Sequence, residues 1–245
     1  MNGQETNEDL DRARRQWTAL GADDPLWAVL SHRGRSGGRW DVEEFLHSGT
    51  LESDAVLQRR RSLDIAPDHG TALDFGCGAG RLTQALGAAL GSAIGVDVSE
   101  PMLEQARSLN RQGDRCRFVL NTEPDLRAIE DGSVDLVYCC RVLQHMAPAL
   151  ARSYVAEFFR IVRAGAPVVF QVPTHPSSSP KGLALRILPP AVATRLRKGM
   201  EMHGSPATEV ERWVRDAGGR VLAADPDSSA GAGWASLLYV CERLA

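Results

Sequence analysis

The chain has 245 residues, of which 43% are hydrophobic and 24% are charged. These proportions are typical of a globular protein and exclude a disordered chain, a collagen-like repeat and a disulfide scaffold. The formal net charge of -3 gives no overall attraction to polyphosphate, so a nucleic-acid partner is not expected.

The first ten residues lack the basic and apolar regions of a secretory signal, and no apolar run approaches the roughly 18 residues of a membrane span. We therefore expect a cytoplasmic protein without stable membrane insertion. The five cysteines form no Cys-x-x-Cys pair, so the sequence predicts neither a disulfide framework nor a zinc knuckle. No group of His, Asp and Glu residues has metal-ligand spacing, and we expect no metal.

Residues 1–65 carry apolar residues at helical spacing, which predicts a helical N-terminal cap. A loop is expected at Gly34, Gly37 and Gly38, because each glycine destabilises a helix by about 1 kcal/mol. The cap contains four aromatic residues: Trp17, Trp27, Trp40 and Phe45. They either close over an apolar ligand or fasten the cap to the core.

From residue 71 onward, short apolar runs alternate with helical segments, which predicts a parallel sheet in an α/β domain spanning residues 66–245. The predicted strands are TALDFG, SAIGVD, RCRFVL, VDLVYCC and APVVFQV, and the predicted helices cover 81–90, 101–111 and 149–163. Ser205 and Pro206 signal a last helix that ends at Gly218, and two further strands are predicted over 220–224 and 235–241.

An insertion over residues 174–204 begins as a Pro/Ser loop and continues over residues 181–199 as a Leu-rich, basic segment without acidic residues. Its basic residues are Lys181, Arg186, Arg195, Arg197 and Lys198. Such a segment holds an anionic acceptor, touches a membrane surface or forms a solvated helix face. The cap and the insertion are also candidate surfaces for a homodimer.

The segment ALDFGCGAGRLTQAL places Gly76, Gly78 and Gly80 between a buried strand and a helix. Glycines let the backbone turn sharply and approach a ligand, and the helix N-terminus offers free N–H groups. Arg81 breaks the G-x-G-x-x-G spacing, which disfavours a dinucleotide site. Asp97 ends the next strand, where a carboxylate can accept both ribose hydroxyl protons of a nucleoside ligand.

ALDFGCGAGRLTQAL and AIGVDVSEPMLEQAR resemble the first two motifs of the class I S-adenosylmethionine-dependent methyltransferases. The resemblance continues through VDLVYCCRVLQHM and FFRIVRAGAPVVFQVPT, and it covers residues 70–173 closely and 205–243 more loosely. It implies a Rossmann-like sheet of seven mostly parallel strands with an antiparallel last strand. It also implies S-adenosylmethionine as cofactor and S-adenosylhomocysteine as product.

The resemblance implies cofactor contacts for residues in the glycine loop and at the strand ends: Asp74, Gly76, Cys77, Gly78, Gly80, Asp97, Val98, Met102, Asn121, Thr122 and Cys140. Asp74 would lie near the methionine amino group, and Val98 and Met102 would flank adenine. The family commonly has Asp where this chain has Asn121, but an Asn oxygen can accept the same hydrogen bond from the adenine amine.

The expected reaction is an in-line methyl transfer to a small-molecule acceptor, for which the protein aligns the acceptor and removes a proton where needed. His145 is the first candidate base, because an imidazole with a pKa of about 6.5 accepts a hydroxyl proton at neutral pH. A packing role is the alternative for His145, and His203 and His175 are weaker candidates. The loop after the fourth strand lacks the Asn/Asp-Pro-Pro-aromatic motif typical of base-amine methylation, which disfavours methylation of nucleobase and glutamine nitrogens. We expect a hydroxyl oxygen as acceptor, and the overall resemblance to stand-alone enzymes with such a cap and insertion implies natural-product biosynthesis.

Two other functions remain open on the sequence. A protein with this fold can bind S-adenosylmethionine without transferring its methyl group, either as a different enzyme or as a binding module. An NAD-dependent oxidoreductase shares the sheet and the acidic strand end, although this chain lacks glycine at position 81.

Overall fold

The computed structural model describes residues 3–65, 69–189, 192, 194, 195 and 200–245. Its centre is a seven-stranded sheet with strand order β3-β2-β1-β4-β5-β7-β6. The strands are β1 Gly70–Phe75, β2 Gly91–Asp97, β3 Cys116–Leu120, β4 Leu136–Cys139, β5 Pro167–Pro176, β6 Gly219–Asp227 and β7 Trp234–Arg243. Strands β1 to β5 pair in parallel, whereas β7 pairs antiparallel with both β5 and β6. The predicted α/β sheet with an antiparallel last strand is confirmed.

Helices pack on both faces of this sheet, which explains why its central strands are apolar throughout. The helices are α1 Gly3–Asp23, α2 Pro25–Val29, α3 Val42–Arg61, α4 Arg81–Leu90, α5 Glu100–Ser108, α6 Pro148–Ile161, α7 Pro180–Ile187 and α8 Ala207–Asp216. One core cluster joins the sheet to α6 and α8 through Phe158 and Trp213. The cluster on the other face contains Leu57 of α3 and Leu86 of α4.

The predicted glycine loop of the N-terminal region lies between α2 and α3. Gly34, Gly37 and Gly38 have φ values of +83°, +77° and +70°, a region that glycine adopts without strain. The carboxylate of Asp24 accepts hydrogen bonds from the N–H groups of Gly37 and Gly38, at 2.6 and 3.4 Å. A side chain that accepts from two successive N–H groups holds the loop without regular secondary structure.

The last helix starts later than its sequence signals predict. It begins at Ala207, and Pro206 stands at the N-cap position without a side-chain hydrogen bond. The N–H of Ser205 donates to the carbonyl of Pro173 at 2.9 Å, so Ser205 is tied to β5 instead of capping the helix. Gly218, with φ of +81°, follows the C-terminus as predicted.

Within the described residues, no helix combines the length and the apolar character needed to cross a bilayer. Arg197 and Lys198, two of the basic residues of the predicted insertion, lie outside the described residues.

Candidate functional site

A cavity of about 510 Å³ opens at the carboxyl ends of the parallel strands. Its walls come from α1 and α2, the glycine loop after β1, the end of β2, the loop after β4 and the β6–β7 loop. In an open α/β sheet, ligands bind outside the carboxyl ends of the strands. The volume lies within the roughly 300 to 1,000 Å³ typical of sites for cofactors and small molecules.

The glycine loop turns sharply against β2. Gly76 and Gly78 have φ values of +73° and +52°, and the N–H of Gly76 donates to the carbonyl of Val96 at 2.7 Å. A Cβ on Gly76 would collide with Val142, and one on Gly78 would collide with Val29. Neither position therefore accepts a side chain without displacing its neighbour, and both leave the backbone open toward the cavity.

Asp97 is held by the backbone of the glycine loop and of the following turn. Its Oδ2 accepts from the N–H of Gly78 at 2.8 Å, and its Oδ1 accepts from the N–H of Ser99 at 2.9 Å. Burial raises the pKa of Asp97, and the backbone hydrogen bonds oppose that rise. Each carboxylate oxygen keeps a second lone pair. Asp97 is therefore oriented to accept further hydrogen bonds from a ligand in the cavity.

Asn121, after β3, has a fixed amide orientation. Its nitrogen donates to the carbonyls of Glu123 and Asp125, each at 3.0 Å, and to the hydroxyl of Tyr154 at 3.3 Å. Two carbonyl partners require the nitrogen on that side, because a carbonyl only accepts. The Oδ1 atom has no hydrogen bond to the described residues and is available to a donor in the cavity.

Asp74 does not line the cavity. Its side chain is almost fully buried behind the glycine loop and accepts a hydrogen bond from the hydroxyl of Thr83 at 2.7 Å. Burial raises its pKa to about 6, although the bond from Thr83 opposes the rise. In this structure Asp74 is therefore not placed to make the contact with the methionine amino group that the resemblance implies.

The other residues predicted for the cofactor divide into two groups. Gly80 and Thr122 do not line the cavity, and Gly80 packs on Ala106 and Phe118 at the start of α4. Those that do line it are Gly76, Cys77, Gly78, Asp97, Val98, Met102, Asn121 and Cys140.

His145 lines the cavity in the loop after β4. Its Nδ1 lies 2.7 Å from the carbonyl of Glu201, and since a carbonyl only accepts, Nδ1 carries the proton. The neutral ring therefore has its lone pair on Nε2, which lies 3.0 Å from the amide nitrogen of Gln144. Trp17 contacts the ring edge-on with centroids 5.0 Å apart. The imidazole thus has both a fixed tautomer and a fixed orientation.

The two other histidine candidates lie outside the cavity wall. The N–H of His203 donates to the carbonyl of Gln144 at 2.8 Å, which places His203 behind the loop that carries His145. The Nδ1 of His175 lies 3.0 Å from the hydroxyl of Thr174 on β5. The structure brings neither ring to the cavity.

The four aromatic residues predicted for the cap divide between the two roles proposed for them. Trp17 and Trp27 line the cavity. Trp40 and Phe45 instead contact each other with ring centroids 5.9 Å apart, in a small apolar cluster with Leu30.

A charged cluster beside the cavity was not predicted from the sequence. Glu52 of α3 accepts from Arg81 at 2.7 Å, from Arg141 at 2.6 Å and from the hydroxyl of Tyr138 at 2.7 Å. Burial alone would raise the pKa of Glu52, but the charges and hydrogen bonds of the two arginines outweigh it and lower the pKa to about 2. We call these four residues the Glu52 cluster. It connects α3 to the first residue of α4 and to the loop after β4.

Arg141 has a left-handed backbone with φ of +65°, which is uncommon outside glycine. Its N–H donates to the side-chain oxygen of Gln171 at 3.1 Å, and Gln171 in turn donates to the hydroxyl of Ser236 at 2.6 Å. A buried polar pair therefore supports this turn from β5 and β7. The turn places Val142 over Gly76 and exposes Cys140 to the cavity.

No group of three or more His, Cys, Asp or Glu side chains in the described part of the chain is arranged to hold a metal ion.

Residues 72–165 match the family model described as a methyltransferase domain. The 2-methyl-6-phytyl-1,4-hydroquinone methyltransferase of Synechocystis is 25% identical over 164 residues, which cover 66% of this chain and 50% of that protein. The ubiquinone biosynthesis O-methyltransferase of Methylococcus capsulatus is 32% identical over 152 residues, which cover 60% of this chain and 62% of that protein. The chain therefore spans about half to three fifths of the length of these relatives.

Solved structures show the same fold at low sequence identity. The magnesium protoporphyrin IX methyltransferase of Synechocystis with bound S-adenosylhomocysteine has a TM-score of 0.66 and 18% identity, covering 94% of this chain and 98% of that chain. The 1,6-didemethyltoxoflavin-N1-methyltransferase of Burkholderia thailandensis, also with S-adenosylhomocysteine bound, has a TM-score of 0.65 and 17% identity. That match covers 97% of this chain and 90% of the other.

Proposed function

We propose that the chain, which matches a methyltransferase domain over residues 72–165, is a class I S-adenosylmethionine-dependent methyltransferase that transfers the methyl group to a hydroxyl oxygen of a small-molecule acceptor. One observation carries this proposal: the glycine loop, the oriented carboxylate of Asp97 and the Oδ1 atom of Asn121 line the same cavity.

The residues present fit this cofactor. Asp97 accepts from the ribose hydroxyls, because its carboxylate already lies between two backbone donors and keeps free lone pairs. Val98 and Met102 supply the apolar surface for adenine, and Asn121 Oδ1 accepts from the adenine amine. Gly76 and Gly78 let the backbone approach the ligand without a side chain in between. S-adenosylmethionine supplies a methyl group activated by its sulfonium charge.

In the proposed step the acceptor oxygen bonds to the methyl carbon while the sulfur–methyl bond breaks and its electron pair stays on sulfur. His145 takes the hydroxyl proton on Nε2, the nitrogen that is left unprotonated when Nδ1 donates to the carbonyl of Glu201, once the acceptor hydroxyl replaces the amide of Gln144 at that nitrogen. The positive charge that develops on the ring is stabilised by that same carbonyl. Trp17, packed against the ring, keeps it in place and limits water access.

The experiment that tests this function combines calorimetric titration with turnover. We expect the purified protein to bind S-adenosylhomocysteine and not NADH, and Asp97→Ala to weaken binding by about 1 to 3 kcal/mol, the effect of leaving buried polar groups unpaired. Asp114→Ala, an exposed acid just before β3, is the control and should bind normally. Binding of NADH alone, or full affinity in Asp97→Ala, would contradict the assignment.

Turnover is then measured with labelled S-adenosylmethionine and a panel of phenols, hydroxy acids, sugars and amines. His145→Ala should lower kcat while leaving the affinity for S-adenosylhomocysteine nearly unchanged. Equal losses in both would assign His145 a packing role. Tight cofactor binding without any labelled product would favour a binding protein over a transferase.

Several features rest on the sequence alone and remain part of this proposal. They are the division into a cap over residues 1–65 and a catalytic domain over 66–245, and a cytoplasmic location. They also include a homodimer formed through the cap or the insertion, and the lack of a nucleic-acid partner.

A further inference from the structure

The charged side chains around the cavity are unevenly distributed. Among the described residues that line it, the cations are Arg81, Arg141 and Lys181, and the one carboxylate is Asp97, on the proposed cofactor side. Arg81 and Arg141 both pair with the single carboxylate of Glu52, which lies behind the wall, so both guanidiniums are already engaged. Lys181 has no acidic group within ion-pair distance in the described part of the chain. Lys181 is therefore the cation of the described cavity wall that has no carboxylate partner among the described residues.

The position of Lys181 is held by the fold around it. Ser179 caps α7 by accepting from the N–H of Gly182 at 3.1 Å, and its hydroxyl donates to the carbonyl of Ala232 at 2.7 Å. The hydroxyl of Ser177 donates to the same carbonyl at 2.8 Å. A Cβ on Gly182 would collide with the backbone of Ser177, so this turn is tightly closed. These contacts fasten the start of α7 to the β6–β7 loop.

The same loop forms part of the cavity wall through residues 229–231, and Lys181 lines the cavity beside it as an exposed residue. The cavity wall also includes large apolar side chains, among them Trp27, Met200 and Met202. A single positive charge beside an apolar surface matches a ligand with one negative charge and a hydrophobic body.

Resting on the function proposed above, we propose that the acceptor is a monoanion, an apolar or aromatic hydroxy compound whose carboxylate binds Lys181. The methylated hydroxyl faces His145, and the carboxylate stays unmodified at the cavity mouth. A carboxylate fits better than a phosphate group, because a phosphate group carries nearly two negative charges at neutral pH, Lys181 supplies one cation, and both guanidiniums of the wall are already held by Glu52.

Matched acid and ester pairs test this assignment. The protein saturated with S-adenosylhomocysteine is titrated with hydroxybenzoates, hydroxycinnamates and hydroxy fatty acids, and with the methyl ester of each, using the fluorescence of the cavity residues Trp17 and Trp27. We expect the acids to bind roughly three- to tenfold more tightly than their esters, the range for one partly exposed charge-assisted hydrogen bond. Added salt should reduce this ratio.

The variants separate charge from packing. Lys181→Met should bring the ratio of acid to ester affinity close to one without changing the affinity for the esters, and Lys181→Arg should keep the preference. Arg186→Met removes a cation from the same helix whose guanidinium donates to the carbonyl of Pro176, outside the cavity wall, and should behave like the wild-type protein.

A second measurement needs no variant. Lys181 and Lys198 are the two lysines of the chain, so acetylation at each is read separately by mass spectrometry. A bound acid should slow acetylation of Lys181 relative to Lys198, and its ester should not. Equal affinities for acids and esters, a preference that survives in Lys181→Met, or a panel in which no acid binds would overturn the inference. Loss of S-adenosylhomocysteine binding would instead contradict the proposed function.

Discussion

At the scale of single residues, burial changes the chemistry of Asp74. The carboxyl is enclosed behind the glycine loop with one hydrogen bond, from Thr83, and its pKa is raised to about 6. The unfolded chain ionises this group at an ordinary pKa near 3.9, so the folded state holds the proton over a wider range of pH. The contribution of Asp74 to stability is therefore complete below about pH 4 and is lost as the pH rises through about 6.

The corresponding prediction concerns Asp74→Asn, which keeps the shape and an oxygen acceptor for Thr83 but cannot ionise. Relative to the wild-type protein, the variant should gain about 2 kcal/mol in free energy of unfolding between pH 4 and pH 7, which is most of the total for two pKa units at about 1.36 kcal/mol each. Urea unfolding at a series of pH values measures this difference. Asp54→Asn, at an exposed position of α3, should show no such trend, and a constant difference for Asp74→Asn would contradict the raised pKa.

At the scale of secondary-structure elements, α3 is joined to the cofactor side of the sheet by the Glu52 cluster. Gly49 allows the close approach, because a Cβ there would collide with the carbonyl of Arg81. Glu52 then binds both Arg81, at the start of α4, and Arg141, after β4. Arg81 is almost fully buried, so removing its carboxylate partner leaves a charge without compensation.

We therefore expect Glu52→Ala to lower the free energy of unfolding by roughly 2 to 4 kcal/mol, as breaking a buried ion pair does. The affinity for S-adenosylhomocysteine should fall as well, because Arg81 directly follows the glycine loop. Glu43→Ala is the matched control on the same helix: it removes an exposed pair with Arg111 and should leave both quantities nearly unchanged. Similar results for the two variants would show that the Glu52 cluster stabilises the fold no more than an exposed ion pair does.

The neighbouring helix α4 is predicted from the sequence, whereas its ion pair with α3 is not. The helix over 81–90 is predicted to the residue, because Gly80 and Gly91 bound an apolar stripe of helical period. Gly76, Gly78 and Asp97 are predicted at the cavity, because the ends of parallel strands meet at one edge of the sheet. Glu52 lies 29 and 89 residues from its two arginines, and pairing over such separations leaves no periodic signal.

The burial of Asp74 is a related case. The sequence motif specifies an acidic residue near the end of β1. Only the packing of α4 behind the strand shows that the hydroxyl of Thr83 donates a hydrogen bond to Asp74. The sequence likewise predicts Ser205 as a helix cap, because its hydrogen bond to Pro173 of β5 joins segments that are distant in the chain.

At the scale of the whole molecule, the N-terminal helices form one wall of the cavity. Val29 of α2 lies against Gly78, and the carbonyl of Trp17 in α1 accepts from the hydroxyl of Ser99 at 3.2 Å. The helix α2 has five residues, and Leu26 and Val29 pack on a small apolar cluster with Leu30. A ligand that occupies the cavity should therefore stabilise α1 and α2 more than it stabilises the distant α8.

Hydrogen exchange measures this difference directly. With S-adenosylhomocysteine at about 100 times its Kd, amides over residues 17–30 that exchange by opening of the cavity should slow by up to about 100-fold, which corresponds to about 2.7 kcal/mol. Peptides from α8, which contributes no residue to the cavity wall among those described, serve as the internal reference. Opening of α1 and α2 would uncover the glycine loop. A ligand that binds only the closed state therefore shifts the population toward closed helices. Unchanged exchange over 17–30 in a protein that binds the ligand would show that these helices stay closed independently of it.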